Sequence, residues 1–241
     1  MKVSVIVPAY NEERLLAGSL AATRDAMRAF GDAGWQSELI VCDNNSTDRT
    51  AEIARAAGAT VVFEPQNQIA RARNAGAAKA NGDWLLFVDA DSYPSIELLR
   101  DTVAAIGNGR CLAGGATVAF ETRDPLMWFW IALWNRLSRT MRWAAGSYIF
   151  CETTAFREIG GFSPELYAAE EIDLSRRLKH LARKRGREVV ILHRQPLRTS
   201  DRKARLYSVR EHFAFLLKFL LHGRHTLRNR DACHVWYDGR R

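Results

Sequence analysis

The sequence predicts an α/β protein with a mostly parallel sheet and helices on its faces. Two observations carry this. Short apolar runs recur through the first 110 residues, unbroken rather than alternating, as in strands buried on both faces. Helical segments lie between the runs, and each run ends in polar residues. In an open sheet of this kind, ligands bind outside the carboxyl ends of the strands.

The elements follow in order. Val3 to Pro8 reads as the first strand, closing on Ala9-Tyr10-Asn11-Glu12-Glu13. A helix is expected from about Glu12 to Phe30, with Asn11 as N-cap and Leu15, Leu16, Leu20 and Met27 turned inward. Glu38 to Cys42 is the second strand, ending in Asp43-Asn44-Asn45-Ser46-Thr47-Asp48. The next helix is expected over Thr47 to Ala57, capped by Ser46, with Asp48 and Glu52 early and Gly58 as its stop. Thr60 to Phe63 is a third strand, Gln68 to Ala80 an alanine-rich helix, and Trp84 to Val88 a fourth strand. The order is βαβαβαβ.

The fourth strand delivers Asp89-Ala90-Asp91 to its carboxyl end. Two carboxylates one residue apart offer hard oxygen ligands to Mg²⁺ or Mn²⁺, ions that keep waters and share themselves with substrate phosphates. Alone the pattern is weak, because aspartates end many strands. Tyr10, Asp43 and Asp89 all fall on one edge of the expected sheet, which strengthens it.

Val5-Ile6-Val7-Pro8-Ala9-Tyr10-Asn11-Glu12, Asp43-Asn44-Asn45-Ser46-Thr47-Asp48-Arg49-Thr50, Ala72-Arg73-Asn74-Ala75-Gly76 and Phe87-Val88-Asp89-Ala90-Asp91 together resemble the family 2 glycosyltransferases. So do Gly160-Gly161-Phe162 and Glu170-Glu171-Ile172-Asp173-Leu174. The resemblance covers roughly residues 3–178. It implies the GT-A fold and inverting, metal-dependent transfer of a sugar from a nucleotide-diphosphate sugar to an acceptor hydroxyl. Carried onto this chain, it implies that Pro8, Ala9, Tyr10 and Glu12 line base and ribose, that Asp43 accepts hydrogen bonds from the base, and that Arg73 lies near the diphosphate. Asp89 would face ribose and metal, with Asp91 the direct ligand of Mn²⁺ or Mg²⁺. Glu171 would be the general base. The family pattern has Glu-Asp where this chain has Glu170-Glu171, so either glutamate can face the acceptor. A UDP-sugar is the preferred donor over a GDP-sugar, and the acceptor is a saccharide or a lipid-linked molecule.

Each residue also has a plainer reading. Asp43 and Asn44 form turns in many proteins. Arg73 on an alanine-rich helix reads as a surface charge, and acids such as Glu170, Glu171 and Asp173 favour a helix start whatever the chemistry.

Composition narrows the remainder. The chain of 241 residues is 47% hydrophobic, ample for a core. Its four cysteines, Cys42, Cys111, Cys151 and Cys233, have neither zinc nor disulfide spacing, so reduced thiols and a cytoplasmic setting are expected. No secretory leader is read at Met1-Lys2, and no apolar stretch has the ~20 residues that span a bilayer. Charge is uneven: residues 176–241 carry 19 Lys+Arg against 5 Asp+Glu, while residues 1–175 carry 16 against 22. A strand over Glu188 to Leu192, a basic turn from Arg194 to Arg205 and a Phe/Leu-rich helix over Leu206 to Leu221 are expected there. Such a basic amphipathic end suits an anionic substrate or the anionic surface of a membrane, reached peripherally from its inner face, and equally a helix packed on the core with a solvated basic face; no nucleic acid is expected as partner. Pro125 to Trp143 holds Trp128, Phe129, Trp130, Trp134 and Trp143. Core packing is expected for most of these, with Trp143 as the acceptor-binding candidate.

Residues 1–195 are thus read as the catalytic domain, 1–110 binding the nucleotide sugar and 111–195 the acceptor, and 196–241 as a basic helical extension. Two other classes compete. A sugar nucleotidyltransferase would open with a Gly-rich phosphate loop, which Pro8-Ala9-Tyr10-Asn11-Glu12 lacks. A non-enzymatic protein docking on membrane or nucleic acid would have no need of Asp89, Asp91 and Glu171.

Overall fold

The structure, a computed structural model, describes residues 1–120, 124–200, 227–229 and 233. Eight strands form one sheet: β1 (Lys2–Ala9), β2 (Gln36–Asp43), β3 (Thr60–Phe63), β4 (Trp84–Val88), β5 (Ser92–Tyr93), β6 (Cys111–Phe120), β7 (Tyr148–Glu152) and β8 (Glu188–Thr199). Among the described residues seven helices accompany them: α1 (Leu16–Asp32), α2 (Thr50–Ala56), α3 (Ile69–Lys79), α4 (Ile96–Gly107), α5 (Pro125–Met141), α6 (Thr153–Glu158) and α7 (Glu170–Lys184). The strand order is β3-β2-β1-β4-β7-β6-β8-β5. The first four positions are parallel, β7 runs antiparallel to both β4 and β6, and β8 returns parallel to β6.

The unbroken apolar runs are explained by two cores, one on each face of the sheet. Successive residues of a strand point to opposite faces. Val3, Val5 and Val7 therefore pack with Leu16, Leu20 and Phe30 of α1 and with Leu98 and Leu99 of α4. Ile6, Leu85 and Phe87 pack on the other side with Ala70 and Ala77 of α3 and Leu174 and Leu178 of α7. Small residues of α3 let it approach closely. A β-carbon on Gly76 would stand 2.5 Å from Ile6 Cγ2, so this contact of helix and strand needs glycine.

Four local expectations are corrected. The first helix begins at Leu16, not Glu12. Asn11 takes φ +50° and uses its Oδ1 to accept from the Thr47 N–H at 2.8 Å, so it ties two loops together instead of capping. The second helix begins at Thr50. Ser46 Oγ accepts from the Asn11 N–H, while Asp48 Oδ1 accepts from the Thr50 N–H. The basic turn after Leu192 is strand as far as Thr199, because β8 continues along β6 beyond a register shift and then pairs with β5. Finally, α5 is not a core helix: Trp128, Phe129, Trp130, Leu133 and Leu137 are 40–68% exposed. The expected helix over 206–221 lies outside the described residues.

Candidate active site

Parallel pairing places the polar strand ends side by side. Ala9 of β1 is in register with Asp43 of β2, and Ile6 with Phe87 of β4, so the ends of β1, β2 and β4 share one edge of the sheet. Pro8, Ala9, Glu12 and Asp43 are buried at that edge, and Tyr10 is half-buried. Asp43 Oδ1 accepts from the Ser46 N–H at 3.0 Å, which folds the loop after β2 into a turn. The Asn44 N–H donates to the Ala9 carbonyl at 2.8 Å, and the Glu12 N–H to Thr50 Oγ1 at 2.8 Å, binding the two strand-end loops to each other.

Arg73 joins the halves of the molecule. It projects from α3 and is 1% exposed, so it is not the surface charge its alanine-rich surroundings suggest. Nη1 donates to Glu170 Oε1 at 2.8 Å; Nη2 donates to Asp89 Oδ1 at 2.9 Å and to the Gly146 carbonyl at 2.8 Å. Phe162, from the Gly-Gly-Phe motif, lies under the guanidinium, 5.1 Å from Arg73 Cζ to the ring centroid. Burial alone would lower the Arg73 guanidinium, but Asp89, Glu170 and Glu171 outweigh it and hold the pKa above its ordinary value.

The two glutamates differ in environment. Glu170 is buried and bound by Arg73. Glu171, one residue on at the start of α7, is half-buried against Gly146, where a β-carbon would stand 3.7 Å from Glu171 Cδ. Burial, then the adjacent Glu170 charge, push the Glu171 carboxyl up to about 8, against the opposing pull of its backbone N–H and Arg73. Once ionised, a carboxyl so raised binds a proton more strongly than an ordinary carboxylate.

The loop before α7 is fastened from α3. Asn74 Oδ1 accepts from the Phe162 N–H at 2.9 Å and its Nδ2 donates to the Phe162 carbonyl at 2.8 Å. Gln68 Nε2 donates to the carbonyls of Pro164 and Leu166. Gly161 takes φ +68°, and a β-carbon there would meet Asn74 Oδ1 at 2.7 Å, which excludes other residues twice over.

Asp91 is buried, and its carbonyl accepts from the Ser200 N–H at 3.0 Å. No group of three or more His, Cys, Asp or Glu placed to hold an ion occurs among the described residues. Asp89 and Asp91 bring two carboxylates to this edge, hard oxygen donors of the kind taken by a cation that shares its shell with water and phosphate. Trp143 precedes β7, half-buried, with the Arg176 guanidinium of α7 over its ring at 5.1 Å. Gly146 and Ser147 were not singled out from sequence. Gly146 accepts from Arg73, and the Ser147 carbonyl accepts from the Asp89 N–H at 3.2 Å. The Gly-Ser turn ahead of β7 was the signal.

Residues 4–159 match the family described as Glycosyl transferase family 2, a span that holds Asp43, Arg73, Asp89 and Asp91 and stops short of Glu170. An uncharacterized glycosyltransferase of Mycobacterium tuberculosis is 35% identical over 133 residues, 54% of this chain and 54% of that protein. The chain thus spans about half the length of the curated relatives it matches. Among solved structures, Staphylococcus aureus TarS 1–349 in complex with UDP-GlcNAc is similar with a TM-score of 0.64 at 24% identity, covering 92% of this chain and 65% of that one. Mannosyltransferase PcManGT from Pyrobaculum calidifontis, in complex with GDP-Man and Mn²⁺, gives 0.64 at 20% identity, covering 98% and 73%. The sheet described above is therefore a GT-A sheet, and the chain belongs to glycosyl transferase family 2.

Proposed function

We propose that the protein moves a sugar from a nucleoside-diphosphate sugar to an acceptor hydroxyl with inversion at the anomeric carbon, the uridine nucleotide being the preferred donor. The observation that carries this reading is the Arg73 cluster: one buried guanidinium pairs with both Asp89 and Glu170, and Glu171 stands beside them with its carboxyl raised to about 8.

The roles then follow. Pro8, Ala9, Tyr10, Glu12 and Asp43 bind base and ribose at the shared edge of β1 and β2. Tyr10 offers a flat apolar face with a polar edge. Arg73 acts from below, fixing the Asp89 carboxylate and the Gly146 turn. Asp89 and Asp91 hold Mn²⁺ or Mg²⁺, with Asp91 the direct ligand. When bound, the ion neutralises charge on the leaving nucleoside diphosphate. Glu171 takes the proton from the acceptor hydroxyl as that oxygen attacks the anomeric carbon opposite the diphosphate. Glu170 is already committed to Arg73, which favours Glu171 as the base. Trp143 borders the acceptor side, and a saccharide or lipid-linked acceptor fits the reading. The basic balance after residue 175 supports work at an anionic membrane surface, on its cytoplasmic face.

A screen of UDP- and GDP-sugars for hydrolysis and transfer, with Mn²⁺ and with chelator, tests this. Turnover of at least one donor, lost in Asp91→Ala, is expected. No turnover of any, together with nucleoside diphosphate affinity equal in Mn²⁺ and in chelator, would overturn it.

A further inference from the structure

Six of the eight large hydrophobic side chains exposed among the described residues belong to one helix. On α5, Trp128 is 68% exposed, Phe129 59% and Trp130 57%, followed by Leu133, Leu137 and Met141. Phe129, Leu133 and Leu137 recur every four residues, so they form a stripe along the helix. The opposite side is what holds α5 to the sheet. Ser138 is buried there, and Asn135 receives the Val118 N–H at 3.0 Å and returns a bond to the Val118 carbonyl at 2.9 Å. An apolar stripe of this size is costly in water and marks a surface that something covers.

We propose that α5 lies in the headgroup region of an anionic bilayer, parallel to the membrane plane. This rests on the reading above that the protein works at a membrane surface, and it assigns that attachment to α5. Two observations favour a lipid surface over another protein, and a third sets how the helix would lie on it. The helix carries no acidic residue, and its two charges, Arg136 and Arg139, are exposed beside the stripe, complementary to anionic headgroups. Tryptophan, whose ring is apolar at one end and a donor at the other, makes up part of the exposed set and suits the lipid–water boundary. No helix among the described residues is long and apolar enough to cross a membrane, so attachment through α5 would run along the surface rather than across it.

The cavities around α5 agree with this orientation. One of about 590 Å³ is walled by Trp128, Ile131 and Pro196, with Arg136, Arg139 and His193 on its lining, a match for an amphiphile with an anionic head. A second, of about 330 Å³, runs from Trp130 and Trp134 to Gly146 and Ser147. Gly146 is the residue whose carbonyl Arg73 holds. The membrane face therefore borders the carboxylate cluster, where a hydroxyl displayed from the bilayer would arrive.

The test is co-sedimentation of the full chain with vesicles of phosphatidylcholine alone and of phosphatidylcholine mixed with phosphatidylglycerol, at low and high salt. Wild type should bind the mixed vesicles at low salt and release with salt. Phe129→Asp/Leu133→Asp and Arg136→Glu/Arg139→Glu should each cut partitioning by about tenfold or more. Nucleoside diphosphate affinity should stay unchanged, since these side chains are exposed. If wild type ignores anionic vesicles, the membrane reading falls together with the assignment. If wild type binds and both variants bind equally well, only the assignment to α5 falls. If the apolar variant turns a dimer into a monomer by light scattering with no change in vesicle binding, α5 meets a second copy and the inference is wrong.

Discussion

Arg73 and Glu170 stand 97 positions apart in sequence, and Nη1 of one donates to Oε1 of the other at 2.8 Å with both side chains nearly excluded from solvent. The bond ties α3, packed on the N-terminal half of the sheet, to the start of α7. It also engages Glu170 and not its neighbour Glu171.

Removing the cation should be severe. Arg73→Met leaves the buried Glu170 and the half-buried Asp89 without their partner, which costs about 3–5 kcal/mol. Replacing Glu170 by Leu in the same variant should recover part of that loss, because one stranded charge is then gone. Chemical denaturation of the three proteins checks both statements.

Glu171→Gln keeps the shape of the side chain and removes its basicity. The chemical step should fall by roughly 10²–10⁴-fold with donor affinity nearly unchanged. Glu170→Gln should instead lower the melting temperature, since it weakens a buried ion pair. A near-normal rate for Glu171→Gln beside a dead, fully folded Glu170→Gln would move the base back one residue.

Stability should depend on Glu171 through pH. Its folded pKa is raised above the ordinary 4.5, so the folded state holds a proton the unfolded chain has lost. That contribution is present in full below pH 4.5 and is withdrawn as pH climbs toward about 8. Wild type should therefore lose stability across this window relative to Glu171→Gln. Parallel melting curves for the two proteins that keep the same separation at every pH would contradict the assignment of the shift.

Gly161→Ala should destabilise by about 1–3 kcal/mol through positive φ and the contact with Asn74 Oδ1. Because the Gly-Gly-Phe turn seats Phe162 under Arg73, transfer should fall with it. Asn74→Ala, which frees the space but cuts two hydrogen bonds to Phe162, should not rescue the glycine variant.

Much of the first half of the sheet was legible because its information is local. Apolar runs, their polar ends and Asp89-Ala90-Asp91 are contiguous in sequence, and parallel pairing carries them to one edge without further instruction. The helix starts were misread where a loop residue had a distant partner: Asn11 looks like a cap until Thr47 is brought beside it. Arg73 was misjudged for a similar reason, as its alanine-rich helix gives no sign that Glu170 will fold over it. The continuation of β8 depends on β6 and β5, neither of which is adjacent to it in sequence. The stripe on α5 has the spacing of a core helix, and periodicity states which residues share a face without saying what that face meets.

The last residues of β8 have a practical bearing on how the protein is handled. Thr199 pairs with Ser92 of β5 through the backbone, and Thr199 Oγ1 stands 3.1 Å from Ser92 Oγ. The Ser200 N–H reaches the carbonyl of Asp91. A shortened clone stopping at residue 195 would remove these clasps while sparing every residue assigned to chemistry. Its donor loop would lose its lateral support, and weak nucleotide binding by such a fragment would report on missing β8, not on the competence of Asp89 and Asp91. Truncations intended to dissect the basic tail should accordingly begin after residue 200.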